Sequence, residues 1–126
     1  MNVTSVIIVD TNIILRIILN DNPKMADDAL NFISGNDILI KNEVFAEVAY
    51  VLFKLYAIEK SEIVKEISKL LKVANIRTES DEIVLLALET FRDSNLDFVD
   101  CLLYAYNQVW GYQVFTFDKK LRGMLD

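Results

Sequence analysis

The sequence predicts an α/β domain with a mainly parallel central sheet and helices on both of its faces. Three observations carry that prediction. Val6-Ile7-Ile8-Val9 is a run of four β-branched residues, the pattern of a strand buried on both faces in the middle of a parallel sheet, and it ends on Asp10. Further short apolar runs at 37–40 and 113–117 are separated by stretches with helical spacing, which right-handed crossovers between parallel strands require. The 126 residues suffice for one domain to bury a core without disulfides or a structural metal, so residues 1–126 read as a single domain.

Thr11 and Asn12 turn the chain from the first strand into Ile13–Leu19, an apolar stretch without breakers that reads as a short helix. Asn22 is a helix N-cap with Pro23 at the first helical position, and Gly35 closes a surface helix over 23–34 whose apolar face holds Ala26, Ala29, Leu30 and Ile33. A second strand spans 37–40. From Glu43 to Tyr56 the pattern is apolar nearly all round, as in a helix packed deep against a sheet. An amphipathic helix follows over 61–71, with Ile63, Ile67, Leu70 and Leu71 on one side.

Residues 75–77 read as a brief third strand. Ser80, followed by Asp81 and Glu82, caps a helix that runs to about Arg92. Asp97 opens another helix, which Gly111 stops after Trp110. Residues 113–117 are the last strand, ending on Asp118, and a short helix or tail completes the chain. Ligands of open α/β sheets collect outside the carboxyl ends of the strands. Asp10 and Asp118 are therefore expected to be neighbours at that edge.

The chain contains no histidine, which excludes Ser-His-Asp and Cys-His catalysis, imidazole acid–base chemistry and histidine-ligated zinc. The single cysteine, Cys101, cannot form an internal bridge, fits a reducing compartment, and reads as a small buried residue rather than a catalytic thiol. No secretory leader pattern opens the sequence and no apolar run approaches membrane-spanning length, so a cytoplasmic protein without membrane contact is expected. Nineteen acidic side chains against 13 basic ones give a net charge of −6. That balance argues against a broad electrostatic grip on nucleic acid but allows a local basic rim around a metal-neutralised site.

Four carboxylates stand in surroundings expected to be dry. Asp10 ends the first strand, Glu47 interrupts Val44-Phe45-Ala46 and Val48-Ala49-Tyr50, Asp100 interrupts Phe98-Val99 and Cys101-Leu102-Leu103, and Asp118 follows Val114-Phe115-Thr116-Phe117. A carboxylate in low dielectric needs a cation or hydrogen-bond donors, and no lysine or arginine lies close to Glu47 or Asp100 in sequence. Several such groups converging form a site that a hard divalent cation, Mg²⁺ or Mn²⁺, would complete. Taken singly, Asp10 and Asp118 fit helix N-caps equally well, and Glu47 fits a buried ion pair. Asp97 fits a cap with an accessory role, and Glu43 a charge favoured by the helix dipole. Thr11, Asn12 and Thr116 fit either turn capping or the orientation of a water or phosphate oxygen.

These residues resemble the PIN domains of the VapC toxin type. The resemblance rests on Ile8-Val9-Asp10-Thr11-Asn12, Phe45-Ala46-Glu47-Val48, Leu96-Asp97-Phe98-Val99-Asp100-Cys101-Leu102 and Thr116-Phe117-Asp118, in that order over nearly the whole chain. It implies a PIN-like three-layer α/β/α sandwich and an Mg²⁺- or Mn²⁺-dependent endoribonuclease. It assigns metal-site and catalytic roles to Asp10, Glu47, Asp100 and Asp118, with Thr11, Asn12 and Thr116 nearby as accessory residues; Asp97, three residues before Asp100 on the same helix face, is read from its position as a cap or an accessory residue. It further implies an RNA substrate, a homodimer, and a cognate antitoxin whose C-terminal segment lies across the groove and active site. The basic complement near the site is thin: Arg16, Lys41, Lys54, Lys119, Lys120 and Arg122.

Two other classes compete. A phosphoryl-transfer enzyme or receiver-like domain also places an aspartate at a strand end, but a phosphatase of that kind would want a second aspartate where this chain has Asn12. A PIN-fold binding module without catalysis would use the apolar segments 13–19 and 43–56 as a groove for an amphipathic helix.

Overall fold

The computed structural model describes residues 5–125; residues 1–4 and 126, the ends of the expected domain, lie outside the described residues. Its elements run β1 (Ile7–Ile8), α1 (Thr11–Leu19), α2 (Pro23–Ser34), β2 (Ile38–Ile40), α3 (Asn42–Tyr50), a wider π-helical turn (Val51–Leu55), α4 (Lys60–Leu71), β3 (Ile76–Thr78), α5 (Asp81–Asp93), α6 (Phe98–Trp110) and α7 (Lys119–Met124). The three strands form one parallel sheet in the order β1-β2-β3. Ile7 lies opposite Ile38, and Ile38 opposite Ile76. The expected α/β class with a mainly parallel sheet is the observed one.

Two helices begin at the caps that their sequence signals. Asn22 accepts a hydrogen bond from the Met25 amide with Pro23 inside the first turn, and Ser80 accepts one from the Ile83 amide. Helix α6 ends at Gly111, whose φ of 71° suits a residue without a Cβ. The core fills with side chains from α3, α4, α5 and α6 against β2, where Ile38 and Ile40 are fully buried. Phe91 of α5 ties this core together by edge-on contacts with Phe53 and Phe98, ring centroids 6.1 and 5.5 Å apart.

Two expectations are corrected. Residues 113–117 are not a strand, and the backbone groups at the two ends of the segment find local side-chain partners instead of a ladder. Asn107 Nδ2 donates to the Tyr112 carbonyl, the Asp118 amide donates to Thr116 Oγ1, and Arg122 donates to the Phe117 carbonyl. Phe115 and Phe117 stand 86% and 81% exposed. Without that strand β1 lies at the sheet's edge, not in its middle, and Ile8 is 59% exposed. The sheet therefore does not set Asp118 beside Asp10. The helix 43–56 is likewise not apolar all round. Glu43, Glu47, Tyr50 and Lys54 form an exposed stripe along it, and its last turn widens, the Tyr56 amide reaching back to the Val51 carbonyl at 3.2 Å.

Asn75 pins the start of β3 to the end of α2. Its Nδ2 donates to the carbonyls of Ile33 and Asn36, the latter at 2.6 Å. Asn75→Ala leaves both carbonyls without this donor and should cost about 1–3 kcal/mol. Urea unfolding checks this as a lower midpoint with an unchanged slope.

Candidate active site

The candidate residues fall into two groups: Asp10, Thr11, Asn12 and Glu47 at α1 and α3, and Asp97, Asp100 and Asp118 at the starts of α6 and α7. Asp10 is the N-cap of α1: one of its oxygens, Oδ1, accepts from the Ile13 amide at 3.1 Å and leaves Oδ2 for another partner. The next residue, Thr11, donates its hydroxyl to Glu47 Oε2 at 2.7 Å and so joins α1 to α3. Asn12 accepts from Arg16 Nε at 3.3 Å within α1. Helix α3, which carries Glu47, lacks a side-chain cap of its own from Lys41. Glu79 supplies one from beyond β3. Its Oε2 accepts from the Asn42 amide and its Oε1 meets Lys41 Nζ, each at 2.7 Å.

Asp97, Asp100 and Asp118 border one cavity of about 340 Å³, together with Asn95, Leu96, Lys119 and Lys120. Asp100 lies on the first turn of α6. Asp97 holds the N-cap position, but its side chain makes no cap hydrogen bond, so its carboxylate is available to the cavity. Asp118 caps α7, Oδ1 accepting from the Leu121 amide at 2.8 Å. Burial, and then the negative charges of Asp118 and Asp97, hold the Asp100 carboxyl above the usual carboxylate range. The charges of Asp97 and Asp118 thus act on Asp100 across a shared space. Helices α3 and α6 pack together, and a second cavity, of about 580 Å³, runs between them beside Glu47, with Ala46, Tyr50, Val99 and Leu102 among its lining residues.

The expected dry surroundings apply to Asp100, which is half-buried, and not to Asp10, Glu47 and Asp118, which are exposed. Glu47 faces outward because it falls on the solvent stripe of α3, and among the described residues no lysine or arginine pairs with it. For Asp10 and Asp118 the choice between cap and site is not exclusive, since each cap engages a single oxygen. Thr116 acts as a turn cap toward the Asp118 amide at 3.0 Å. Cys101 is buried and its thiol is pushed up to about 11 by burial, as befits a packing residue rather than a nucleophile.

The basic residues divide in the same way. Arg16 is paired with Asp21, Lys41 with Glu79, and Arg122 with a backbone carbonyl. Lys119 and Lys120 remain at the rim of the acidic cavity, and Lys54 borders a neighbouring one that Asp97 and Asp100 also line. Glu79 and Lys60 have structural roles that the sequence did not signal, because their partners lie more than thirty residues away.

The chemistry of the donor set fits a hard divalent cation. Every candidate ligand is a carboxylate oxygen, and the mutual repulsion around Asp100 is what such an ion would relieve. Among the described residues no three acidic side chains already form a group that could hold one, so Asp97, Asp100 and Asp118 border the cavity rather than meet at a point.

A three-stranded parallel sheet flanked by helices, with aspartates clustered around the start of α6 and α7, defines an α/β domain of the acidic-site type. Comparison with protein families places it further: the PIN domain model matches residues 7–124, and the chain belongs to the PIN domain family. PIN domains are generally nucleases and typically bind divalent metals. No curated protein and no solved structure matches the chain. No helix among the described residues is long and apolar enough to cross a membrane.

Proposed function

We propose that this PIN domain is a metal-dependent endoribonuclease that cuts RNA phosphodiester bonds and serves as the toxin of a toxin–antitoxin pair. The observation that carries the reading is the cavity where Asp97, Asp100 and Asp118 meet Lys119 and Lys120. It offers carboxylates for a cation and ammonium groups for the flanking phosphates.

Asp10, Glu47, Asp100 and Asp118 would hold Mg²⁺ or Mn²⁺, with Asp97 as an accessory ligand. Bound there, the ion would supply a counter-charge for the phosphate and a more acidic water. The chain's own groups do the rest. Lys119 and Lys120 would draw the backbone to the rim, and Thr11 holds Glu47 by Oε2, leaving Oε1 to face the cation or to orient the attacking water. The oxygens of Asp10 and Asp118 engaged by amides fix the direction of the free ones, which is the preorganisation that charge stabilisation requires.

The cavity between α3 and α6 supports the partner reading. Its apolar lining beside Glu47 suits an antitoxin segment that would cover both groove and site. A homodimer and a cytoplasmic location belong to the same proposal.

The test is cleavage of mixed tRNA and ribosomal RNA by purified protein with Mg²⁺ or Mn²⁺, with EDTA, and with Asp10→Asn. Internal cuts that need the metal and vanish in the variant are expected. Cutting that survives both EDTA and the substitution would overturn the reading.

A further inference from the structure

Lys60 begins α4, a poor place for a cation because the positive end of the helix dipole lies there. Its side chain turns away from its own helix to the link between α5 and α6. There Nζ donates to the Ser94 carbonyl at 3.0 Å and the Leu96 carbonyl at 2.7 Å. The same ammonium stands 4.3 Å from the centre of the Phe91 ring and 5.3 Å from that of Phe53. Among the described residues no carboxylate lies within ion-pair distance of it. Two carbonyls and two ring faces are what replace its lost water.

The next residue after this turn is Asp97, and Leu96 itself is buried and borders the acidic cavity. Since the Asp97 side chain makes no cap bond, the direction of its carboxylate is set by the backbone of the turn. The Cys101 amide bonds the Asp97 carbonyl at 3.1 Å, so the first turn of α6, with Asp100, inherits the same placement.

We propose that Lys60 is a positioning residue of the acidic site, holding the Ser94–Leu96 turn so that Asp97 and Asp100 face the cation. The role rests on the nuclease reading above. It acts through the turn and touches neither RNA nor metal.

Lys60→Met keeps an unbranched chain over the two rings but cannot donate, whereas Lys60→Arg can still serve both carbonyls. Calorimetric titration of the folded proteins with Mn²⁺ reads the difference without relying on turnover. Lys60→Met should bind about 10- to 100-fold more weakly, and Lys60→Arg should recover most of that loss. Amide exchange over 95–101 should quicken in the Met variant while β2 stays protected. Should Lys60→Met fail to fold, Lys60→Gln, able to serve one carbonyl, gives the same reading with a smaller loss. Mn²⁺ binding by the unaltered protein that neither the Met nor the Gln variant weakens would overturn the role of Lys60 and leave the nuclease standing. A loss that Lys60→Arg shares in full would overturn it as well, because packing would then be responsible. An unaltered protein that neither binds Mn²⁺ nor cuts RNA would overturn both.

Discussion

Asp100→Asn should lower the rate of RNA cleavage by at least about a hundredfold while making the metal-free protein more stable at neutral pH. Both effects have one cause. Burial and the charges of Asp118 and Asp97 hold the Asp100 proton more firmly in the folded state than in the unfolded chain. An acid whose folded pKa is raised costs stability above that pKa, and the cost disappears once pH falls below its ordinary value. Asparagine carries no charge at any pH, so the variant gains on the unaltered protein at pH 7 and matches it in acid. Solvent reaches part of the group, which keeps the gain below about 1 kcal/mol. Melting curves from pH 3 to 7 without metal, set beside cleavage rates with Mn²⁺, test the pair. A variant less stable at pH 7 would show that Asp100 is held by favourable bonds and not strained by its neighbours.

Leu121→Ala should inactivate the enzyme without unfolding most of the domain. Leu121 is the buried residue of α7, fully enclosed, and its amide is the donor that Asp118 caps. Truncating a buried leucine costs about 2–5 kcal/mol. A helix of six residues has no comparable stability of its own, so the loss falls on α7 first. Once α7 opens, Asp118 and the rim lysines, Lys119 and Lys120, leave the cavity. The expected signature is rapid amide exchange over 119–124, a cleavage rate reduced by about a hundredfold or more, and continued protection of β2 and α5. Leu121→Met, which nearly conserves volume, should cost less than about 1.5 kcal/mol and keep activity. Full activity in Leu121→Ala would separate Asp118 from the chemistry.

Capping signals and apolar spacing are local, and they made most of the fold legible. Asn22-Pro23 and Ser80 start their helices where expected, Gly111 ends α6, and the strands at 38–40 and 76–78 fall within a residue or two of their apolar runs. The four short motifs around Asp10, Glu47, Asp100 and Asp118, with their order and spacing, pointed to the PIN family, whose model matches residues 7–124. The segment 113–117 shows where local reasoning ends. Its alternation suits a strand, but a strand also needs a neighbour, and the groups at its ends are taken by Asn107, Thr116 and Arg122.

The candidate site divides along the same line. Sequence by itself determined which chemistry is available: with no histidine, carboxylates, hydroxyls, amines or a metal remain, and four carboxylates set in apolar runs point to a hard cation. Tertiary structure alone decided how those acids are arranged. It joined Thr11 to Glu47, gathered Asp97, Asp100 and Asp118 around one cavity, left Asp97 uncapped, and brought Lys60 and Glu79 from distant elements to hold the backbones that carry them. Residue identity sets what a group can do, while its direction, exposure and charge depend on neighbours that the packing of helices on the sheet brings near.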